Sequence, residues 1–145
     1  YNLSKMKIEI ATTSDIKELV FIENELFLGD SAALSRAAFN YHLKRNIIYK
    51  LIIDEKTVAY ILWLKRKNHY RLYSLAILKD FQGKGLGKSL LEFSLNNLDK
   101  DIFELEVRVS NLPAIKLYEK FGFEKVKILE KFYDDEDGMK MRLKR

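Results

Sequence analysis

Hydrophobic and polar positions change period several times along the chain, and each change marks an element. The stretch "VAYILWL" at 58–64 is apolar throughout, which predicts a strand covered on both faces and central in its sheet. Strict alternation governs 102–109, placing Phe103, Leu105, Val107 and Val109 on one face and Glu104, Glu106 and Arg108 on the other. Strands are also predicted over Lys7–Ala11, Ile47–Ile53 and Tyr70–Leu78, with Asp54–Lys56 as a tight connection. A helical period takes over at Ile16, Leu19, Glu23 and Leu26, giving a helix to about Phe27 capped by Thr13 or Ser14. Gly29–Ser35 reads as a loop, and Ser35 caps a second helix carrying Phe39 and Leu43. A third helix spans about Gly85 to Leu98 with Leu86, Leu90, Leu91 and Leu95 inward. Asn111 caps a short fourth helix to Phe121, Gly122 stops it, and 123–129 with 139–143 form a closing hairpin. The order β-α-α-β-β-β-α-β-α-β-β predicts a mixed α/β (α+β) fold whose early strands pair antiparallel.

Length adds that 6–145 forms one domain, with Met6 a candidate start and 1–5 an extension outside it. The chain has no cysteine and only two histidines, His42 and His69, so thiol nucleophiles, disulfides and a histidine-built metal centre lack material. No metal is expected. No run approaches the about 18 apolar residues of a membrane span, and no secretory stretch opens the chain, which fits a cytoplasmic protein without membrane contact. The net charge of +5 suits a polyanionic ligand or, more simply, a lysine-rich solvated surface.

Candidate chemistry concentrates in "KDFQGKGLGKSLLEF", residues 79–93. Its GKS resembles the end of a nucleotide-binding P-loop, but that pattern requires glycine at 82, where Gln82 stands. The dinucleotide pattern G-x-G-x-x-G ends on Lys88 or Leu90 instead of glycine. Three glycines at alternate positions between a strand and a helix still expose backbone N–H groups at a helix N-terminus, a natural anion site.

The spacing Gln82-Gly83-Lys84-Gly85-Leu86-Gly87 resembles Q/R-x-x-G-x-G/A, the pyrophosphate signature of the GNAT N-acetyltransferases. Nearly the whole chain from Lys7 shares the resemblance. It is strongest in "LYSLAILKDFQGKGLGKSLLE", "LEVRVSNLPAIKLYEKFGFEKV" and "FYDDEDGMKM", which look like the RimI-like group that acetylates protein N-termini. The resemblance implies a GNAT-type, mostly antiparallel central sheet flanked by helices. It also implies acetyl-coenzyme A as co-substrate. The pyrophosphate would lie on the Gly83–Lys88 amides, and the pantetheine arm would pair with the backbone of Leu75, Ala76 and Ile77.

Acetyl transfer from a thioester to an amine needs a neutral amine, a held oxyanion and a proton for the leaving thiolate. Direct attack through a tetrahedral intermediate needs no covalent enzyme intermediate. By residue type alone, Glu106 on a polar strand face is a solvated carboxylate and Tyr118 a core aromatic. The resemblance implies Glu106 as base and Tyr118 as acid at the coenzyme sulfur. It gives Asn111 a bond to the cofactor arm besides its cap, and the N–H near Ile77 the oxyanion. Glu104 beside Glu106 would favour its protonated form and Arg108 would oppose that. The resemblance places the acidic run Asp134–Asp137 at the hairpin tip, with Tyr133, beside the acceptor entrance, so Tyr133 and Asp134 are the substrate-binding candidates; a solvated turn is the equal alternative.

The acceptor implied is a protein N-terminal α-amine, including that of a ribosomal protein, although "FLGDSAALSRAAF" at 27–39 lacks the Pro-Trp-Ser stretch usual in ribosomal-protein-specific members. A polyamine or amino sugar is the alternative acceptor. Two other classes compete: a non-catalytic coenzyme-binding module, and a nucleic-acid-binding domain suggested by "WLKRKNHYR" at 63–71, which reads more simply as two strand ends around a charged turn.

Overall fold

The computed structural model describes residues 5–30 and 32–145; the extension expected over 1–5 lies, but for Lys5, outside the described residues. The chain divides into two compact units, one built from residues through Lys65 with Tyr73–Leu98, the other from Arg66–Leu72 with Asp99–Arg145.

In the first unit β1 (Lys7–Ile10), β2 (Ile47–Ile53) and β3 (Lys56–Lys65) pair antiparallel. Helices α1 (Ile16–Phe27), α2 (Arg36–Arg45) and α3 (Leu86–Asn97) accompany them. Val58–Leu64 is buried at every position, as its continuous apolar run predicts. The β2–β3 turn places Asp54 (φ 49) and Glu55 (φ 67) in the left-handed region, the geometry of a tight hairpin turn matched to strand twist. Ser35 caps α2 as expected, accepting the Ala38 N–H at 3.1 Å. The α1 cap differs from expectation. A 3-10 turn over Thr13–Asp15 precedes the helix, and Asp15 closes it by accepting the Thr12 N–H at 2.8 Å and pairing with Lys50 at 2.6 Å. Asp15 also stands at the N-cap position of α1 with no side-chain bond to that helix, its carboxylate being used by Thr12 and the half-buried Lys50. Glu23, on the inward face of α1 and 3% exposed, accepts the Leu34 N–H at 2.8 Å and the Tyr60 hydroxyl, which also meets Ser74 at 3.0 Å.

In the second unit β5 (Ile102–Arg108) pairs antiparallel with β7 (Glu136–Lys144), and β7 with β6 (Glu124–Tyr133). Strand β4 (Tyr70–Ile77) contributes its start here, parallel to β5 at Tyr70 and Arg71, and its remainder to the first unit. Strand order is thus β1-β2-β3-β4 and β4-β5-β7-β6, the mixed and mostly antiparallel pairing expected. Asn111 caps α4 (Leu112–Lys120) by accepting the Ala114 N–H at 3.3 Å, and Gly122 (φ 97) ends it. The closing hairpin runs longer than its apolar residues suggested. Of the acidic run, Asp134 and Asp135 make the turn at the hairpin tip, and Glu136 and Asp137 open β7.

Candidate functional site

The first unit carries the glycine loop. Strand β4 ends in a 3-10 turn, Lys79–Phe81, anchored by the buried Phe81. Gln82 then folds back and donates from Nε2 to the Ile77 carbonyl at 2.9 Å. Gly83 (φ 76) and Gly85 (φ 78) both adopt the left-handed conformation, and a Cβ on either would meet nothing within 4 Å. Those two conformations turn the backbone beside open space and lead it into α3. The first N–H groups of a helix have no partner within it, so the amides of Leu86, Gly87 and Lys88 point out of the N-terminus toward that space. Lys84 and Lys88 are exposed beside it. Gly87 serves a different purpose: a Cβ there would lie 3.4 Å from Ile77 and 3.6 Å from Leu75, ordinary contact with the strand behind the helix. Steric blocking of a phosphate by a side chain at 87 is therefore not what this glycine prevents. The cradle fits a pyrophosphate through bare amides, helix dipole and two lysines, with no metal ligand required. Leu75 and Ile77 are half-buried and Ala76 is buried on the same strand.

The second unit carries the carboxylates and phenols. The polar face of β5 is wholly ion-paired instead of solvated. Glu104 accepts from Arg142 Nε at 2.7 Å through Oε2, while its Oε1 lies 3.4 Å from His69 and 3.5 Å from Lys140. Burial opposes its ionisation, but the Arg142 hydrogen bond and the charges of Lys140, His69 and Arg142 outweigh it and hold the carboxyl below its ordinary range. Glu106 accepts from Arg71 Nε at 2.8 Å and from Arg71 Nη2, both at Oε1. Arg108 stacks its guanidinium 4.4 Å over the Tyr133 ring and bonds Asp135 and Glu136.

Those contacts revise the reading of the acidic run. Glu136 is taken by Arg108 and by the Ser110 hydroxyl at 2.8 Å, Asp135 by Arg108, and Asp137 by the Lys131 N–H at 2.8 Å. Asp134 alone, exposed at the turn, makes no ion pair or hydrogen bond among the described residues.

Tyr133 is half-buried; burial first, then the charge of Glu106, pushes its hydroxyl pKa up against the pull of Arg108. Tyr118 is buried with its ring edge-on to Phe123 at 5.9 Å. Burial, then the neighbouring Tyr133, pushes its pKa up to about 12, so the phenol stays protonated across neutral pH. Tyr133 thus feels the charge of Glu106 and itself acts on Tyr118, with Arg108 over its ring. Asn111 lies in the same unit, where its side chain is used as a cap. Arg71 is the participant that sequence reasoning passed over, given a place at the start of a strand and no role. Its only signal was the alternation of β4, which sets Arg71 between the inward Tyr70 and Leu72.

Residues 16–123 match the family model described as "Acetyltransferase (GNAT) family". An N-alpha-acetyltransferase of Sulfolobus acidocaldarius is 36% identical across 93% of this chain and 90% of its own. That of Saccharolobus solfataricus is 39% identical over 71% of this chain and 73% of its own. The crystal structure of the ribosomal-protein-S18-alanine N-acetyltransferase from Escherichia coli superimposes with a TM-score of 0.85 at 28% identity, covering 96% of this chain and 93% of that one.

Proposed function

Because the chain belongs to the GNAT acetyltransferase family, we propose that it transfers an acetyl group from acetyl-coenzyme A to the free α-amine of a protein N-terminus. The observation that carries the cofactor assignment is the paired left-handed Gly83 and Gly85 opening onto the amides of α3. The acceptor assignment is supported by relatives named N-alpha-acetyltransferases, at up to 39% identity.

The coenzyme supplies the acetyl thioester. Gln82, Gly83, Lys84, Gly85, Leu86, Gly87 and Lys88 bind its pyrophosphate, and the backbone of Leu75, Ala76 and Ile77 takes the pantetheine arm, with Asn111 adding a polar contact. Glu106 accepts the proton that the amine loses as its nitrogen bonds to the acetyl carbon. The Ile77 N–H faces the oxyanion. Tyr118, protonated at neutral pH, gives its hydroxyl proton to the sulfur as the carbon–sulfur bond breaks. The chain has no cysteine, in keeping with direct transfer. Tyr133 and Asp134 contact the acceptor end. Residues 6–145 act as one catalytic domain, in the cytosol, with ribosomal proteins among the candidate targets.

The test is a mass-spectrometric screen of peptides that differ in the first residue, with polyamines and amino sugars alongside. Acetylation at the α-amine of peptides beginning with Ala or Ser, and not at lysine, is expected. Turnover of polyamines or sugars alone would overturn the peptide reading and leave acetyl transfer standing.

A further inference from the structure

Two glutamates on one strand face, Glu104 and Glu106, have side chains equally hidden at 12% exposure, yet they are bonded differently. Glu104 has cations at both oxygens: His69 and Lys140 at Oε1, Arg142 at Oε2. Glu106 has both its bonds at Oε1, from Nε and Nη2 of Arg71, and its Oε2 accepts nothing among the described residues. The Oε2 atom is not sealed from solvent, which leaves it open to an incoming group. The backbone explains the difference. Strands β4 and β5 run parallel with Arg71 opposite Glu104, so a side chain leaving Arg71 along the strand reaches Glu106 one pleat further on. Arginine's planar edge then holds one oxygen from two nitrogens, which fixes the carboxylate's rotation as a single ammonium contact would not.

We propose that Arg71 is a positioning residue for the transfer reaction: by gripping Oε1 of Glu106 it presents Oε2 to the proton of the attacking amine. This rests on the reading of Glu106 as the base. Arg71 touches no reacting atom in this account and acts only through Glu106.

The test measures kcat and KM of the full chain with acetyl-coenzyme A and a synthetic peptide beginning with Ser. The variants are Arg71→Met, Arg71→Lys, Arg71→Ala, Glu106→Gln and Arg71→Met with Glu106→Gln. Misplacing a catalytic group by about 1 Å can cost on the order of 100-fold, so Arg71→Met should lower kcat by about 10–100-fold and leave both KM values within about threefold. In the Glu106→Gln background the same change should cost less than about threefold, because the group it positions is gone. Low-millimolar guanidinium should restore part of the turnover of Arg71→Ala. Arg142→Met, which takes from Glu104 the cation at its Oε2 instead, should leave kcat within about twofold, setting the structural baseline.

A raised peptide KM at unchanged kcat would mean Arg71 holds the acceptor, and would overturn the proposal. Losses that multiply in the double variant would also overturn it while leaving Glu106 as base. Wild-type turnover in Glu106→Gln would remove the base reading and the proposal together. Should Arg71→Met fail to fold by circular dichroism, Arg71→Lys decides: reduced kcat with unchanged KM supports the fork geometry, and full turnover refutes it.

Discussion

Replacing Gly85 by alanine tests the glycine loop at the point where backbone and function meet. Gly85 sits at φ 78 with open space where a Cβ would go, so the substitution meets no clash and acts through conformation alone. An L-residue held in the left-handed region is disfavoured by roughly 1–2 kcal/mol. If the loop keeps its shape, that strain appears as lost stability, a fall in Tm of about 2–8 °C at about 2–4 °C per kcal/mol for a chain near this size. If the loop relaxes, the amides of α3 are re-aimed. The same energy then appears in acetyl-coenzyme A affinity, weakened by about 5–30-fold because only the left-handed fraction binds. Differential scanning fluorimetry and isothermal titration calorimetry on one preparation read both. Gly87→Ala is the contrast: its Cβ lands at ordinary contact distance from Ile77 and Leu75, and alanine gains up to about 1 kcal/mol in a helix. That variant should match or exceed the wild-type Tm and bind within about twofold. Equal losses at both positions, or no loss at 85 by either measurement, would refute the reasoning. Gly85→Glu carries it further: an anion placed in the cradle should abolish binding by calorimetry with a Tm no lower than that of the alanine variant.

Tyr118→Phe keeps the ring against Phe123 and removes the proton, so kcat should fall by about 10²-fold or more with acetyl-coenzyme A affinity little changed. Since burial holds that phenol near 12, wild-type kcat should show no loss from Tyr118 ionisation below about pH 11; a basic limb near pH 9 that disappears in Tyr118→Phe would contradict the burial argument. Glu104 has its folded pKa below the ordinary value, so its contribution to stability is complete above that ordinary value and is lost as pH falls through the folded one. Urea unfolding between pH 7 and pH 3 should therefore show a smaller drop in midpoint for Glu104→Gln than for wild type. Tyr60→Phe takes a hydrogen bond from the buried Glu23 and should destabilise by about 1–3 kcal/mol in urea unfolding, because the carboxylate is left under-satisfied.

Elements whose signals are local could be read from the sequence. The unbroken run of β3, the alternation of β5, and the caps at Ser35 and Asn111 each depend on a few adjacent residues, and each holds in the structure. What escaped depends on partners far apart in the chain. Asp15 is paired with Lys50 from β2, and Glu136 with Arg108 and Ser110 across the unit. Arg71 was assigned its strand correctly, but alternation specifies a face and not a neighbour. Only the parallel register with β5 brings it to Glu106, 35 residues on. The candidate base was therefore legible through a family resemblance, while the group that orients it was not.

The contacts of Arg108 bear on how a cationic acceptor approaches. Four successive carboxylates would project a field far enough to draw an amine in by diffusion, with a rate falling steeply as ions are added. Here a guanidinium lies against two of them and a third is bonded to backbone, leaving Asp134 as the one outward-facing charge without a bonded partner. One guanidinium offsets one of the four charges and a backbone N–H offsets none, so the tip stays net negative. On the proposed acceptor reading it pulls an amine over about 8 Å at physiological ionic strength, and association should slow between dilute buffer and cellular salt. Discrimination among N-termini is left to contacts formed after arrival, when a peptide's first side chains meet the enzyme at van der Waals range.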